Sequence, residues 1–389
     1  MKDIEYIDLD IIEPDVKQTE TKRAERKSSN RRRKKKKRYV GYVILSLLLI
    51  TSVTVGSLYA YLYYDEKKDL EKAIQNAEQA TEDYEELLSE LESDGYIPKD
   101  EVDNMINQNT VSIKDKIRSY LENGDGVLMM LENLYDDMIV VPNSGRYNFF
   151  NIDSTLKASE IDKSKLCYPV KNEETGKYEG EASYDDGSVK AKKVIDVSKF
   201  QGDIDWQKVK DDGVEAAYIR LGYRGYSSGE IVVDEKYEEN ISACNDIGLD
   251  CGVYFFTEAL NEDEAREEAD FCIENLGEYS TTLPIAIDVE ESANVSKSRT
   301  KDLSVEQRTL NVIAFCERIR EKGYEPIIYG NLKSLMIMTD LSKLEEYDKW
   351  FAYYHYPLRF PYKIKMWQYS ATRRVDGIEG DVDLNLMFY

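Results

Sequence analysis

The stretch PIAIDVEE, Pro284 to Glu291, is an apolar run that reads as a buried strand, yet it ends in Asp288 and Glu290. Side chains at i and i+2 of a strand point to the same face with Cα atoms roughly 6.5 to 7 Å apart, so the two carboxylates project together. Charge at the end of an apolar strand is costly to bury, which marks the pair for chemistry rather than packing.

Outward from this pair the sequence repeats one grammar. The β-rich runs VIDVS (194–198), AAYIRLGY (216–223), CGVYFFTE (251–258), LPIAIDVE (283–290) and PIIYGN (326–331) alternate with helix-like segments. Those segments close on Gly213, Gly248, Gly277 and Gly323, placed as helix C′ glycines, and two open on the capping patterns Asn261-x-x-Glu264 and Ser304-x-x-Gln307. A repeated βα unit demands a parallel sheet with helices outside. Three further runs, WFAYY (350–354), KMWQYS (365–370) and DVDLNLMF (381–388), leave little room for helices between them. About eight strands in ~195 residues is short for a full eightfold barrel of ~250, and fits one whose last helices are missing. Active sites of such barrels lie at the strand C-terminal ends, where Asp288 and Glu290 fall, with Asp196 and Asp383 near the ends of other strands.

The other half of the chain is organised differently. From Tyr39 to Tyr64 there is no charged residue, a length sufficient to span a hydrocarbon core of ~30 Å as a helix. RRRKKKKR, Arg31 to Arg38, precedes it, so the N-terminus is expected in the cytoplasm and everything after Asp65 outside the cell membrane. The span is longer and later than a cleaved signal peptide, and the basic run suits anionic inner-leaflet lipid better than nucleic acid. Residues 1–38 hold 14 Lys/Arg and 8 Asp/Glu against 52 and 76 in the whole chain, so the part beyond the span is strongly acidic. Such a field excludes electrostatic attraction to nucleic acid.

Leu70, Ala77, Tyr84 and Leu91 recur every seven residues, with Ile74, Thr81 and Leu88 in a second register, an a/d seam compatible with a stalk that oligomerises or stands alone. Helical character continues to about residue 141, broken at Asn123 to Gly126; then RYNFFNID and an Asp186-Gly187 turn suggest a small β-containing unit. The expected order is a cytoplasmic basic tail (1–38), a transmembrane helix (39–64), a helical stalk (65–141), a β-containing linker (142–190) and a barrel (191–389). Five cysteines form no CxxC pair, and the single His355 cannot by itself build a histidine metal site or a Ser-His-Asp triad. No metal or other cofactor is expected.

At this point the residues resemble the family 25 glycoside hydrolases, muramidases that cut peptidoglycan. The resemblance covers about 194–389 and rests on VIDVSKFQGDIDW, GVYFF, AIDVE, IIYGN, WFAYY, MWQYS and GDVDLNLMF, in the family's order. It implies an irregular (β/α)5β3 TIM-like barrel, a peptidoglycan glycan strand as substrate, and an acidic cluster of Asp196, Asp288, Glu290 and Asp383, with Glu290 in the proton donor's place. One departure is Tyr254-Phe255-Phe256, where the family often has Tyr-His-Phe.

Elementary chemistry agrees with this assignment. Glycoside cleavage needs an acid for the leaving oxygen and a negative group beside the oxocarbenium-like centre, and converging carboxylates raise one another's pKa. Adjacent same-face acids leave little room for an inverting water, which favours retention, with a carboxylate or the substrate's own N-acetyl group as nucleophile; the resemblance leans to the latter. Tyr254, Tyr329, Tyr353, Trp367 and Gln368 are expected to line the sugar groove. A chitinase-type DxDxE pattern fails at Ala286. The competing reading of another class is a non-catalytic wall-binding or scaffold protein of an envelope-spanning machine, which loss of one of the four acids would have favoured.

Overall fold

The computed structural model describes residues 45, 49, 51–53, 75, 77–83, 99–123, 126–172, 174–175, 178–292 and 294–389. Most of the apolar span and of the heptad seam therefore lies outside the described residues; Leu45, Leu49 and 51–53 are helical, as are 75 and 77–83. Among the described residues no helix is long and apolar enough to cross a membrane. The chain divides into two compact units, Met1–Ser119 and Tyr120–Tyr389. Helix α1 (Lys99–Glu122) is the long described element of the first, and its last residues fall in the second unit.

The second unit begins earlier than its sequence suggests. Helix α2 (Val127–Leu134) stops short of residue 141, and the chain enters the hairpin β1 (Met138–Asn143) and β2 (Arg146–Asn151), turned at Ser144 and Gly145, both at positive φ. Short antiparallel pairs follow, β3 (Leu166–Cys167) with β6 (Ser183–Tyr184) and β4 (Val170–Lys171) with β5 (Tyr178–Glu179). The expected turn at Asp186-Gly187 forms, with Asp186 Oδ1 accepting from the Val189, Ser188 and hydroxyl donors around it. This segment is laced to the barrel: Ala158 bridges Tyr362, and Asp153 N donates to Tyr362 Oη at 2.8 Å. Residues 120–190 and the barrel thus form one unit, and the expected boundaries at 141 and 190 run through it.

The barrel strands are β7 (Ala191–Val197), β8 (Ala216–Arg224), β10 (Asp250–Phe256), β11 (Ile285–Asp288), β12 (Pro326–Asn331), β13 (Asp348–Ala352), β14 (Met366–Arg373) and β15 (Val382–Phe388). They pair in that order and close through β15 onto β7. Seven run parallel; β15 is antiparallel to both its neighbours. A short strand unread in the sequence, β9 (Ile231–Val233), hangs on the outer part of β8. Helices α3 (Trp206–Asp211), α4 (Tyr237–Asp246), α5 (Glu262–Leu276) and α6 (Val305–Glu321) fill the first four connections, and a five-residue π-helical turn, Ser334–Met338, fills the fifth. Both predicted caps form: Asn261 Oδ1 accepts from Glu264 N, and Ser304 Oγ from Gln307 N.

Period-two alternation sorts the residues into two layers. Val194, Ala216, Tyr218, Ala286, Ile327, Tyr329, Trp350, Ala352, Met366 and Met387 fill the lumen, while Ile195, Ile219, Val253, Ile287, Ile328, Phe351 and Trp367 pack outward, beneath the helices or the docked segment. Gly252 is required where Tyr218 crosses the lumen, since a Cβ there would lie 2.8 Å from the Tyr218 ring.

Candidate active site

Four carboxyls meet at the mouth formed by the parallel strands' C-terminal ends. Asp196 is the penultimate residue of β7 and Asp288 the last of β11; Glu290 lies two residues past β11, where Val289 N still donates to Tyr329 O at 3.0 Å. Asp383 stands at the start of β15, which in a parallel barrel would place it at the floor. Because β15 runs the other way its start is at the mouth, and Asp383 pairs in register directly opposite Asp196. Direct antiparallel partners have Cβ atoms ≈ 4.5–5.5 Å apart, close enough for the carboxyls to share a proton.

The electrostatics follow from burial and like charge. Burial pushes the Asp383 carboxyl up, with the Asp196 charge adding to it; Asp196 is also raised by burial, but amide donors from Asn385 and Gln368 pull it back. Of this pair Asp383 keeps the proton and Asp196 the charge. Burial, then the Glu290 and Asp196 charges, raises Asp288 well above the carboxylate range, against a lowering by Arg220. Asp288 Oδ1 is buried with no hydrogen-bond partner among the described residues. Glu290, half-buried, is raised by burial first and by Asp196 second, and a donating Tyr329 hydroxyl opposes both. A carboxyl held protonated beside ionised neighbours is the arrangement that general acid catalysis requires.

Around the acids runs a polar ring. Gln368 Nε2 and Asn385 Nδ2 each donate to Asp196 Oδ2 at 2.8 Å. Gln368 Oε1 accepts from Tyr329 Oη at 2.8 Å and Tyr354 Oη at 2.6 Å, and Asn385 Oδ1 accepts from Trp350 Nε1 at 2.7 Å. Tyr254 faces the lumen edge-on to Trp350, with ring centroids 6.1 Å apart, and burial raises its hydroxyl's pKa strongly. Arg220, opposite Tyr254 in register, is clamped by Asp234 at 2.6 Å and lies 5.0 Å under the ring of Phe200, which is 76% exposed at the rim.

Two expected groove residues face the other way. Trp367 is fully buried outside the barrel wall, its Nε1 donating to Tyr353 O at 2.8 Å and its ring packed against Tyr168, Tyr356 and Tyr369. Tyr353 is likewise turned out, its hydroxyl 2.7 and 2.6 Å from the two oxygens of buried Glu132 on α2. The cause is the pleat: Gln368 and Tyr354 take the inward positions, so Trp367 and Tyr353 cannot. Gln368 is at the site but buried, with its oxygen committed to two hydroxyls. Tyr254 and Tyr329 face the lumen of the barrel. Tyr354, 45% exposed, Asn385 and Arg220 were not singled out; inward parity with Trp350 was the signal for the first, and a cation inside an apolar strand for the last. His355 is exposed beside Tyr354, and its ring meets Tyr353 edge-on at 5.5 Å.

A closed barrel of this topology with acids gathered at its mouth defines a glycoside hydrolase class of protein. The family described as "Glycosyl hydrolases family 25" matches residues 195–378, and the chain belongs to that family. It is 30% identical to Lysozyme M1 of Streptomyces globisporus over 202 residues, 49% of this chain and 66% of that protein. It is also 30% identical to the uncharacterized protein YegX of Escherichia coli O6:H1 (strain CFT073), over 49% of this chain and 68% of YegX. The chain thus spans about two-thirds of the length of each of these two relatives. Among solved structures, the modular autolysin LytC of Streptococcus pneumoniae in complex with a synthetic peptidoglycan ligand aligns at a TM-score of 0.48 and 24% identity, over 66% of this chain and 57% of that one. Asp383 lies beyond the matched family residues, and the antiparallel closing strand is what brings it to the site.

Proposed function

We propose that this chain is a peptidoglycan hydrolase that cleaves the β-1,4 bond between N-acetylmuramic acid and N-acetylglucosamine. The observation that carries the reading is the convergence of Asp196, Asp288, Glu290 and Asp383 at one barrel mouth, with burial and then the Glu290 charge raising Asp288, and burial and then the Asp196 charge raising Glu290. Glu290 donates its proton to the leaving oxygen. Asp288, whose Oδ1 has no partner among the described residues, orients the substrate's N-acetyl group, giving retention. Tyr254, Tyr329 and Tyr354 form the inner wall against which sugar rings lie. The wild-type chain is expected to clear a gel with embedded cell walls and to release fragments with reducing N-acetylmuramic acid ends. Reducing N-acetylglucosamine ends would reject the bond assignment.

The apolar span and the basic run before it support a membrane-anchored form with the barrel on the wall side. Tethering would hold a strongly acidic domain near an anionic wall by effective concentration rather than affinity. Protease added to protoplasts is expected to degrade residues beyond Asp65 and spare the basic tail; a protected barrel would reject this topology.

A further inference from the structure

Phe200 is a large apolar ring left 76% exposed four residues after Asp196, on a backbone that is held at several points. It sits in the 3-10 turn Lys199–Gln201 that leaves β7, and a reciprocal cap closes that turn: Phe200 N donates to Ser198 Oγ at 3.3 Å, and Ser198 N to Gln201 Oε1 at 2.9 Å. Gln201 Nε2 donates to Asp381 O at 3.3 Å, which ties the turn to the loop entering β15. The ring rests on Arg220, whose Cζ lies 5.0 Å from the ring centroid. Arg220 is itself fixed, because Nε and Nη2 both reach Asp234 Oδ2, at 2.7 and 2.6 Å, and Asp234 is buried.

The strand register fixes where this assembly stands. Tyr218, in the lumen, pairs with Asp196, and Arg220 follows two residues later on the same face, one pleat nearer the rim than the acid. A single exposed apolar side chain is ordinary on a protein surface. This one is held by a capped turn, has a guanidinium against one face, and stands with the remainder open beside a cluster of acids. A cation over a ring is attracted to the negative face of its quadrupole, so Arg220 holds the ring from one side. The open side suits the C–H face of a pyranose, since both surfaces lose water favourably when they meet. We propose that Phe200 is a substrate-binding platform on which one N-acetylhexosamine ring of the glycan strand, outside the pair that flanks the cut bond, packs its C–H face. The inference rests on the peptidoglycan hydrolase reading above, which supplies the strand. A sugar remote from the reacting atoms is held equally in ground and transition states, so the platform acts through KM and not through kcat.

The test measures binding by titration calorimetry to the full chain carrying Glu290→Gln, so that the ligand is not consumed, and hydrolysis by the chain with Glu290 intact. The probes are peptide-free alternating strands of N-acetylglucosamine and N-acetylmuramic acid. A disaccharide covers only the pair at the cut, and an octasaccharide reaches beyond it; the weaker disaccharide is read by competition. Phe200→Ala is expected to weaken the octasaccharide about tenfold and to leave the disaccharide unchanged. It is expected to raise KM for the octasaccharide by the same factor, with kcat and its pH profile unmoved. Phe200→Leu keeps apolar bulk over Arg220 without a ring and is expected to lose as much, whereas Phe200→Trp is expected to bind as wild type does. An equal loss for both probes would mean that Phe200 acts through the turn or the acids, and no loss for the octasaccharide would mean that no sugar lies on it; either result overturns the inference. A length-dependent loss in a chain that cuts no strand would reject the proposed function and leave the platform standing.

Discussion

Buried acids occur in two places in the barrel unit, and they are treated in opposite ways. Outside the barrel wall each carboxylate meets donors. Glu268 accepts from Arg224 Nε at 2.7 Å and Thr257 Oγ1 at 2.6 Å; Glu258 accepts from Ser292, Ser298 and Thr300 hydroxyls; Glu132 accepts from Tyr353. At the mouth the acids chiefly face one another, and one oxygen of Asp288 faces nothing that donates. Satisfied buried charge maintains a fold, whereas carboxyls left without donors cost stability and persist where the chemistry uses them.

The largest expected effect separates the two regions by activity. Glu290→Gln is expected to lower turnover ~10²-fold or more, since its amide cannot donate the required proton. Its unfolding midpoint should stay within the wild-type range, because Glu290 accepts few protein donors. Turnover above about a tenth of wild type would remove Glu290 from the acid's role.

The next effect concerns the docked segment. A fragment beginning at residue 191 loses Glu132 and with it the acceptor of the Tyr353 hydroxyl, about 1.5–3 kcal/mol for a hydrogen bond to a charged group, before the lost hairpin packing. Denaturant unfolding of that fragment against residues 120–389 checks this. Equal stability would make the segment a mere linker, as its sequence alone suggests.

These expectations show where the sequence was legible and where it was not. Strand order, the two capped helices and the four acids followed from alternation, glycine stops and motif order. The errors were of parity. In MWQYS, Trp367 and Gln368 are neighbours on a strand and cannot both face a groove, and in WFAYY the inward set is Trp350, Ala352 and Tyr354, not Tyr353. Aromatic character suggested sugar stacking, but the outer layer of a barrel needs large apolar rings as much as a groove does. The docking of residues 127–190 was not legible because it depends on single pairs more than 190 residues apart, such as Glu132 with Tyr353 and Asp153 with Tyr362.

A smaller effect should appear only as pH changes. Asp383 is raised to about 9 in the fold from an ordinary 3.8, so the native state binds its proton more tightly than the unfolded chain. Stability from this group is complete below about pH 4 and is lost progressively as pH rises toward 9. Asp383→Asn removes that loss. Its thermal midpoint is expected to match wild type at pH 4 and to exceed it at pH 8 by a few degrees, at about 2–4 °C per kcal/mol. A midpoint difference that is the same at both pH values would mean that Asp383 carries no such proton.

The central claim, that the outer acids are tied to donors whose loss the fold feels while the mouth acids chiefly face one another without such ties, is tested most directly by denaturant unfolding at pH 8 of Asp288→Asn and Glu268→Gln in parallel. Asp288→Asn relieves a buried carboxyl set among like charges and is expected to stabilise by about 1 kcal/mol. Glu268→Gln leaves the Arg224 guanidinium buried without its counter-charge at Nε and is expected to destabilise by about 3 kcal/mol or more. Opposite signs are the predicted result. Destabilisation of similar size in both variants would contradict the account.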